Sequence, residues 1–230
     1  MIKPKIIIVF GTLCFLISSC ATKQSVVYFQ DEVEKDALSV SQNISTKYEN
    51  HTIQKDDILN ISVSAIDMTS IAPFIVDNVQ ARTTDQYLIE GFKVDENGKV
   101  NLPLIGEINV LGLTTSEASR FIQQELSKSI IDPIVNITFL NFRFTILGEV
   151  SNPGTFTVYN PKINLIQALG LAGDITMTGK RDNIKLIREV DGVTTKTTID
   201  LTNSDFMSSE AYYLEKDDII YVEPTFTKIT

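Results

Sequence analysis

The residues able to do chemistry are few and unevenly placed. Two acidic pairs, Asp56-Asp57 and Asp217-Asp218, sit in near-identical settings: Ile53-Gln54-Lys55-Asp56-Asp57-Ile58-Leu59 and Leu214-Glu215-Lys216-Asp217-Asp218-Ile219-Ile220. A carboxylate pair serves as general acid and base, or holds a cation, only when both groups face one substrate. Adjacent residues of an extended chain point to opposite sides, so each pair reads as a charged turn feeding a buried strand. At seven residues the echo is too brief to establish a duplication. His51, the one histidine, lies between Asn50 and Thr52 in a polar stretch, where a solvated ring is expected, and any Ser–His or Cys–His pair would have to use it. Both cysteines, Cys14 and Cys20, fall within the first twenty residues, which leaves no disulfide framework and no Cys/His metal cluster. No catalytic, cofactor-binding or metal-ligating residue is expected; the chain reads as a non-enzyme.

Cys20 is the exception, as a site of modification. Lys3 and Lys5 precede an apolar run from Ile6 to Ile17, followed by Ser18-Ser19-Cys20. A charged start, a short apolar core and small residues before a cleavage point make a secretory signal. The run is too short to span a bilayer comfortably. Ending on a cysteine, it resembles a lipobox, with cleavage before Cys20 and acylation of its thiol. More than one acyl chain makes such an anchor stable, at about 0.8 kcal/mol per buried CH₂.

Composition narrows the partners. Lys and Arg number 20 against 29 Asp and Glu, a net charge of −9. Phosphate binding depends on Lys and Arg releasing counterions, so a nucleic-acid partner is not expected. Tryptophan is absent, which removes indole stacking as a way to hold sugars and leaves Tyr and Phe.

The elements that must position these residues follow from periodicity. Leu59, Ile61, Val63 and Ala65 alternate with polar residues, which predicts a strand with one buried face. Ile66 to about Phe92 carries no clear pattern. Asn97-Gly98, between Val94 and Leu102, signals a hairpin. Thr114 and Glu117 have capping-box spacing ahead of a stripe of Ala118, Phe121, Ile122 and Leu126, with Asp132-Pro133 ending the element. Ile134 to Phe139 is again a strand. In the second half Phe142, Phe144 and Ile146 alternate, Asn152-Pro153-Gly154 makes a turn, and Thr155 to Tyr159 returns. Asn164 and Gln167 open a short helix that Gly173 stops, and Ile184–Val190 and Val193–Ile199 flank Asp191-Gly192. The order predicts an α+β fold: a small mixed sheet with one main helix, then a β-grasp unit.

Taken in order, these pieces resemble the Wza-type polysaccharide export family, in which an export domain precedes a soluble-ligand-binding β-grasp (SLBB) domain. The resemblance rests on Lys55-Asp56-Asp57, Gly98 to Gly106, Val110 to Thr114, Glu117-Ala118 and Asp132 to Val135. It continues through Gly148-Glu149-Val150, Pro153-Gly154, Ala168 to Gly173 and Leu214 to Val222. It implies five segments: a lipoprotein signal peptide (1–19), a lipidated tether and lead-in (20–50), an export domain (51–140), an SLBB-like domain (141–224) and a tail (225–230). It further implies a homo-oligomeric ring, lipid-anchored at the outer membrane of a Gram-negative cell and facing the periplasm, enclosing a passage for capsular polysaccharide or exopolysaccharide. The implied partner is an inner-membrane chain-length regulator, often a tyrosine autokinase. The sequence departs from the pattern in one respect: several members end in an amphipathic pore-forming helix, whereas six residues follow Pro224 here. The other reading, a surface or periplasmic glycan-binding lipoprotein, would use Tyr87, Phe92, Tyr159, Tyr212 and Tyr213 as an aromatic platform.

Overall fold

The computed structural model describes residues 27–30, 50–67, 71, 74, 91–190 and 192–225. The signal segment with Cys20, most of the lead-in, Tyr87, Asp191 and 226–230 lie outside the described residues.

In the first half, β1 (Ile58–Ser64) buries Leu59, Ile61 and Val63 and turns Asn60, Ser62 and Ser64 outward. It forms the centre of a three-stranded sheet between β2 (Phe92–Lys93) and β5 (Ile134–Phe139), pairing Leu59 with Phe139 and Ile61 with Ile137. Then β3 (Lys99–Leu102) and β4 (Gly106–Asn109) make a separate hairpin. The structure bears out the α+β class, and among the described residues the three strand pairings of this half are antiparallel.

Asn97-Gly98 therefore does not join two paired strands. Asp95 accepts the N–H groups of Asn97 and Lys99, making a tight turn, and the Gly98 carbonyl accepts from Val110 and Leu111. Gly98 has φ 79, and a Cβ there would meet Leu111 Cβ at 2.3 Å, which accounts for the glycine. The hairpin comes one element later, across Pro103-Leu104-Ile105.

Helix α1 (Thr115–Leu126) carries the full capping box: Glu117 N–H donates to Thr114 Oγ1 and Thr114 N–H to Glu117 Oε2. Ala118, Ile122 and Leu126 are buried, while Phe121, expected on the same stripe, is 40% exposed. The helix stops at Ser127, before Asp132-Pro133.

In the second half, β6 (Arg143–Gly148), β7 (Gly154–Thr157), β8 (Gly179–Val190), β9 (Val193–Ile199) and β10 (Ile219–Pro224) form one sheet in the order β7-β6-β10-β8-β9. It is mixed, since β10 runs parallel to β6 and antiparallel to β8. Gly148 (φ 91) allows that crossing: a Cβ would lie 2.0 Å from the Val222 carbonyl oxygen. Helix α2 (Leu165–Leu171) is capped by Asn164 and Gln167 as expected and buries Leu165, Ala168 and Leu169, with Gly173 at φ 76 beyond its end. A single cluster of buried apolar side chains runs from Ile53 to Val222 through both halves. Among the described residues no helix is long and apolar enough to cross a membrane.

Candidate functional site

The sequence echo proves to be a repeated local structure. In the first copy Gln54 N–H donates to Asp57 Oδ2 (2.8 Å), Asp57 N–H returns to the Gln54 carbonyl (3.3 Å), and Asp56 takes φ 62. In the second, Glu215 N–H donates to Asp218 Oδ2 (2.8 Å), Asp218 N–H to the Glu215 carbonyl (3.3 Å), and Asp217 takes φ 64. Asp tolerates the left-handed region better than most residues, and the next Asp ties the turn to its own backbone. Each turn then launches a strand, β1 or β10.

Within each pair the two carboxylates have opposite fates. Asp56 and Asp217 are exposed and bind surface cations, Lys93 (2.7 Å) and Arg143 (2.7 Å). Asp57 and Asp218 are fully buried. The chain is not extended at Asp56 or Asp217, as the sequence reading assumed, yet the outcome for catalysis is the same: neither pair faces a common substrate.

The buried members recruit different partners. Arg188 grips Asp218 with two bonds, Nε to Oδ1 (2.9 Å) and Nη2 to Oδ2 (2.7 Å), and spends its remaining donors on Glu215 Oε1 and the Tyr213 carbonyl. Such a bidentate fork is the strong form of the pair. Asp57 is answered from the other half of the chain: Lys216, inside the second turn, donates to Asp57 Oδ1 at 2.7 Å. The two repeats are thereby linked to each other.

His51 belongs to the same junction and is not the solvated ring expected. It lies edge-on to Phe139 (5.1 Å) and Phe142 (5.3 Å), at the end of β5 and the approach to β6, and its Nε2 is buried with no partner among the described residues. Burial lowers its pKa; Asp57 opposes and Lys216 reinforces that shift. Asn141 completes the joint, accepting from Ile58 N–H (2.9 Å) and donating to the Asp56 carbonyl (2.9 Å). What this arrangement can do is mechanical: it fixes one half against the other.

Among the described residues Phe92, Tyr159, Tyr212 and Tyr213 do not form one aromatic platform; Tyr87 lies outside them. Phe92 packs on the core, and Tyr212 packs between Phe206 (6.0 Å) and Tyr213 (4.9 Å). Tyr159, 54% exposed, stands apart from these contacts. Among the described residues no group of three or more His, Cys, Asp or Glu is placed to hold a metal. Sequence reasoning missed Lys216, Arg188 and Arg181, because a cation's distant partner leaves no local pattern.

Comparison with known proteins gives two adjoining matches. Residues 45–140 match the family described as polysaccharide biosynthesis/export protein, and residues 142–222 match the SLBB domain. Over 104 residues, 44% of this chain, there is 32% identity to the EPS I polysaccharide export outer membrane protein EpsA of Ralstonia nicotianae and 30% to that of Ralstonia solanacearum. The matched stretch spans 27% and 28% of those relatives' lengths.

Proposed function

The chain belongs to the polysaccharide biosynthesis/export protein family, and from that premise we propose that it is an outer-membrane component of a capsular or exopolysaccharide export machine. The observation that carries this is the ordered pair of domains, together with relatives named as exopolysaccharide export proteins of the outer membrane. Cys20 is acylated after removal of residues 1–19 and holds the molecule on the periplasmic face. Export domain 51–140 and SLBB-like domain 141–224 stand side by side with those of other copies in a ring around a wet passage. An inner-membrane chain-length regulator, often a tyrosine autokinase, meets this ring from the other side of the periplasm.

The residues are consistent with transport without catalysis. A glycan moves through a hydrated polar wall and requires no reactive group, and the acidic pairs are consumed in turns and ion pairs. Deleting the locus should abolish surface glycan while intracellular glycan still accumulates. Negative-stain images of the detergent-extracted lipoprotein should show rings with a central opening. Unchanged glycan display in the deletion strain would refute the export role, and a strictly monomeric protein would refute the ring.

A further inference from the structure

The five-stranded sheet of the second half has one packed face and one face in water. Phe144, Ile146, Ile184 and Ile220 point inward and join Leu169 of α2 in the buried cluster. The alternate residues of the same strands point the other way. Register sets them in two rows: Leu147, Tyr221 and Lys185 in one, Thr145, Ile219 and Ile187 in the next. Four of these six are aliphatic or aromatic, and Leu147 and Tyr221 are 44% and 38% exposed. A sheet face left in water ordinarily turns polar residues outward, as β1 does with Asn60, Ser62 and Ser64. Here the outward apolar residues sit on β6, β10 and β8, at the middle of the sheet, where β10 runs parallel to β6. Parallel strands are characteristically covered on both faces.

The polar groups around this centre are already satisfied by one another. The Thr145 and Thr155 hydroxyls lie 3.0 Å apart, Lys185 donates to Thr198 Oγ1 (2.8 Å), and Arg143 holds Asp217 (2.7 Å). Covering the face therefore strands few donors, and a stranded donor is what makes the burial of polar groups costly. An apolar centre with an aromatic ring, inside a satisfied polar rim, is the anatomy of a protein contact. A matching surface exists on the same domain. Leu171, at the end of α2, is 50% exposed, and Met177, on the connection from α2 to β8, is 75% exposed. Gly170 leaves that end of the helix open to close approach, since a Cβ there would meet nothing within 4 Å. Four strand spacings make the sheet roughly 19 Å wide, which a helix about 10 Å across covers together with the loop that follows it.

We propose that the outer face of this sheet is a contact between copies of the chain, in which Leu147 and Tyr221 of one copy receive Leu171 and Met177 of the next. The statement rests on the ring reading above and names an interface for it. Strands and helix form the two layers of one domain, so each copy both gives and receives and the contact runs head to tail, the arrangement that closes into rings. A face that met its own equivalent would stop at a dimer.

Cross-linking of the full-length lipoprotein in its membrane tests the pairing. After cleavage Cys20 is the only native cysteine, and acylation takes its thiol, so introduced thiols report alone. With a short bis-maleimide, Tyr221→Cys combined with Leu171→Cys should give a ladder that extends beyond the dimer, and either substitution alone should give monomer. A dimer from Tyr221→Cys alone, or no ladder from the pair, would overturn the proposal. Light scattering on the detergent-extracted protein gives a second measurement. Leu147→Glu with Tyr221→Glu should raise the concentration needed for assembly at least tenfold with circular dichroism unchanged, whereas Ser62→Glu, on the outer face of β1, should not. Rings that persist in the double variant, or that form normally in it but no longer display glycan, would overturn this interface and leave the ring standing. A wild-type protein monomeric at every concentration would defeat the ring reading itself, and this contact with it.

Discussion

Replacing Lys216 with Met isolates the joint between the two repeats. The substitution keeps most of the stem and removes the ammonium that lies 2.7 Å from the fully buried Asp57 carboxylate. Removing one member of a buried pair costs about 3–5 kcal/mol. Two features reduce that here: Lys216 retains 21% exposure, and Asp57 keeps the Gln54 N–H. A loss of about 2–3 kcal/mol is expected, which for a chain of this size lowers Tm by roughly 4–12 °C. The repeat supplies its own control. Lys93 and Asp56 are 65% and 70% exposed, so Lys93→Ala should leave the urea midpoint nearly unchanged.

Urea unfolding of Lys216→Met, Asp57→Asn and the double variant forms the thermodynamic cycle, and the coupling should exceed about 1 kcal/mol. The single histidine provides a second reading by NMR. Lys216 lowers the His51 pKa and Asp57 raises it, so Lys216→Met should move the His51 titration up and Asp57→Asn should move it down. If Lys216→Met stays within about 0.5 kcal/mol of the wild type, or if His51 does not respond, the pair does not hold the halves together.

Gly148→Ala should fail to fold or lose several kcal/mol, since its Cβ would enter the Val222 carbonyl at 2.0 Å from a backbone at φ 91; soluble yield and circular dichroism report this. Thr114→Ala removes the acceptor for Glu117 N–H and should cost about 1 kcal/mol in urea unfolding. His51 has a pKa lowered by burial, so the unfolded state takes up its proton first: its contribution is fully present above the ordinary value of 6.5 and is lost as pH falls through it toward the folded value. Stability should therefore decline from pH 7 toward 5.5, and His51→Gln should flatten that slope.

Local chemistry made much of the fold legible. Alternation located β1, β5 and β6, and Thr114–Glu117 and Asn164–Gln167 marked both helix starts, because these signals are carried by neighbours in sequence. Errors arose where a local signal had more than one structural use. Asn97-Gly98 does make the turn its composition favours, but the strands that follow pair onward, β3 with β4. Phe121 has helical spacing without burial, since the helix face that packs is narrower than its apolar stripe. His51 was misplaced because its polar sequence neighbours say nothing of Phe139 and Phe142, about ninety residues away. The same holds for Tyr28, whose partners Asp174 and Arg181 lie some 150 residues downstream.

The two acidic turns show how one motif can serve two mechanical ends. Both use their second Asp to close the turn, which forces a carboxylate into the interior at the head of a strand. An uncompensated buried charge is costly, so each must import a cation. Asp218 takes Arg188 from the adjacent strand of its own sheet, and the cost is met within one half. Asp57 is instead met by Lys216, whose own backbone belongs to the second turn. Separating the halves would strand Asp57, expose the rings of Phe139 and Phe142 that flank His51 and open a core that is continuous from Ile53 to Val222. The electrostatic and apolar terms therefore oppose the same motion. In the proposed ring, a chain built this way would present its two domains to neighbours in one fixed relation, which is what a closed assembly of identical copies requires if every interface is to repeat.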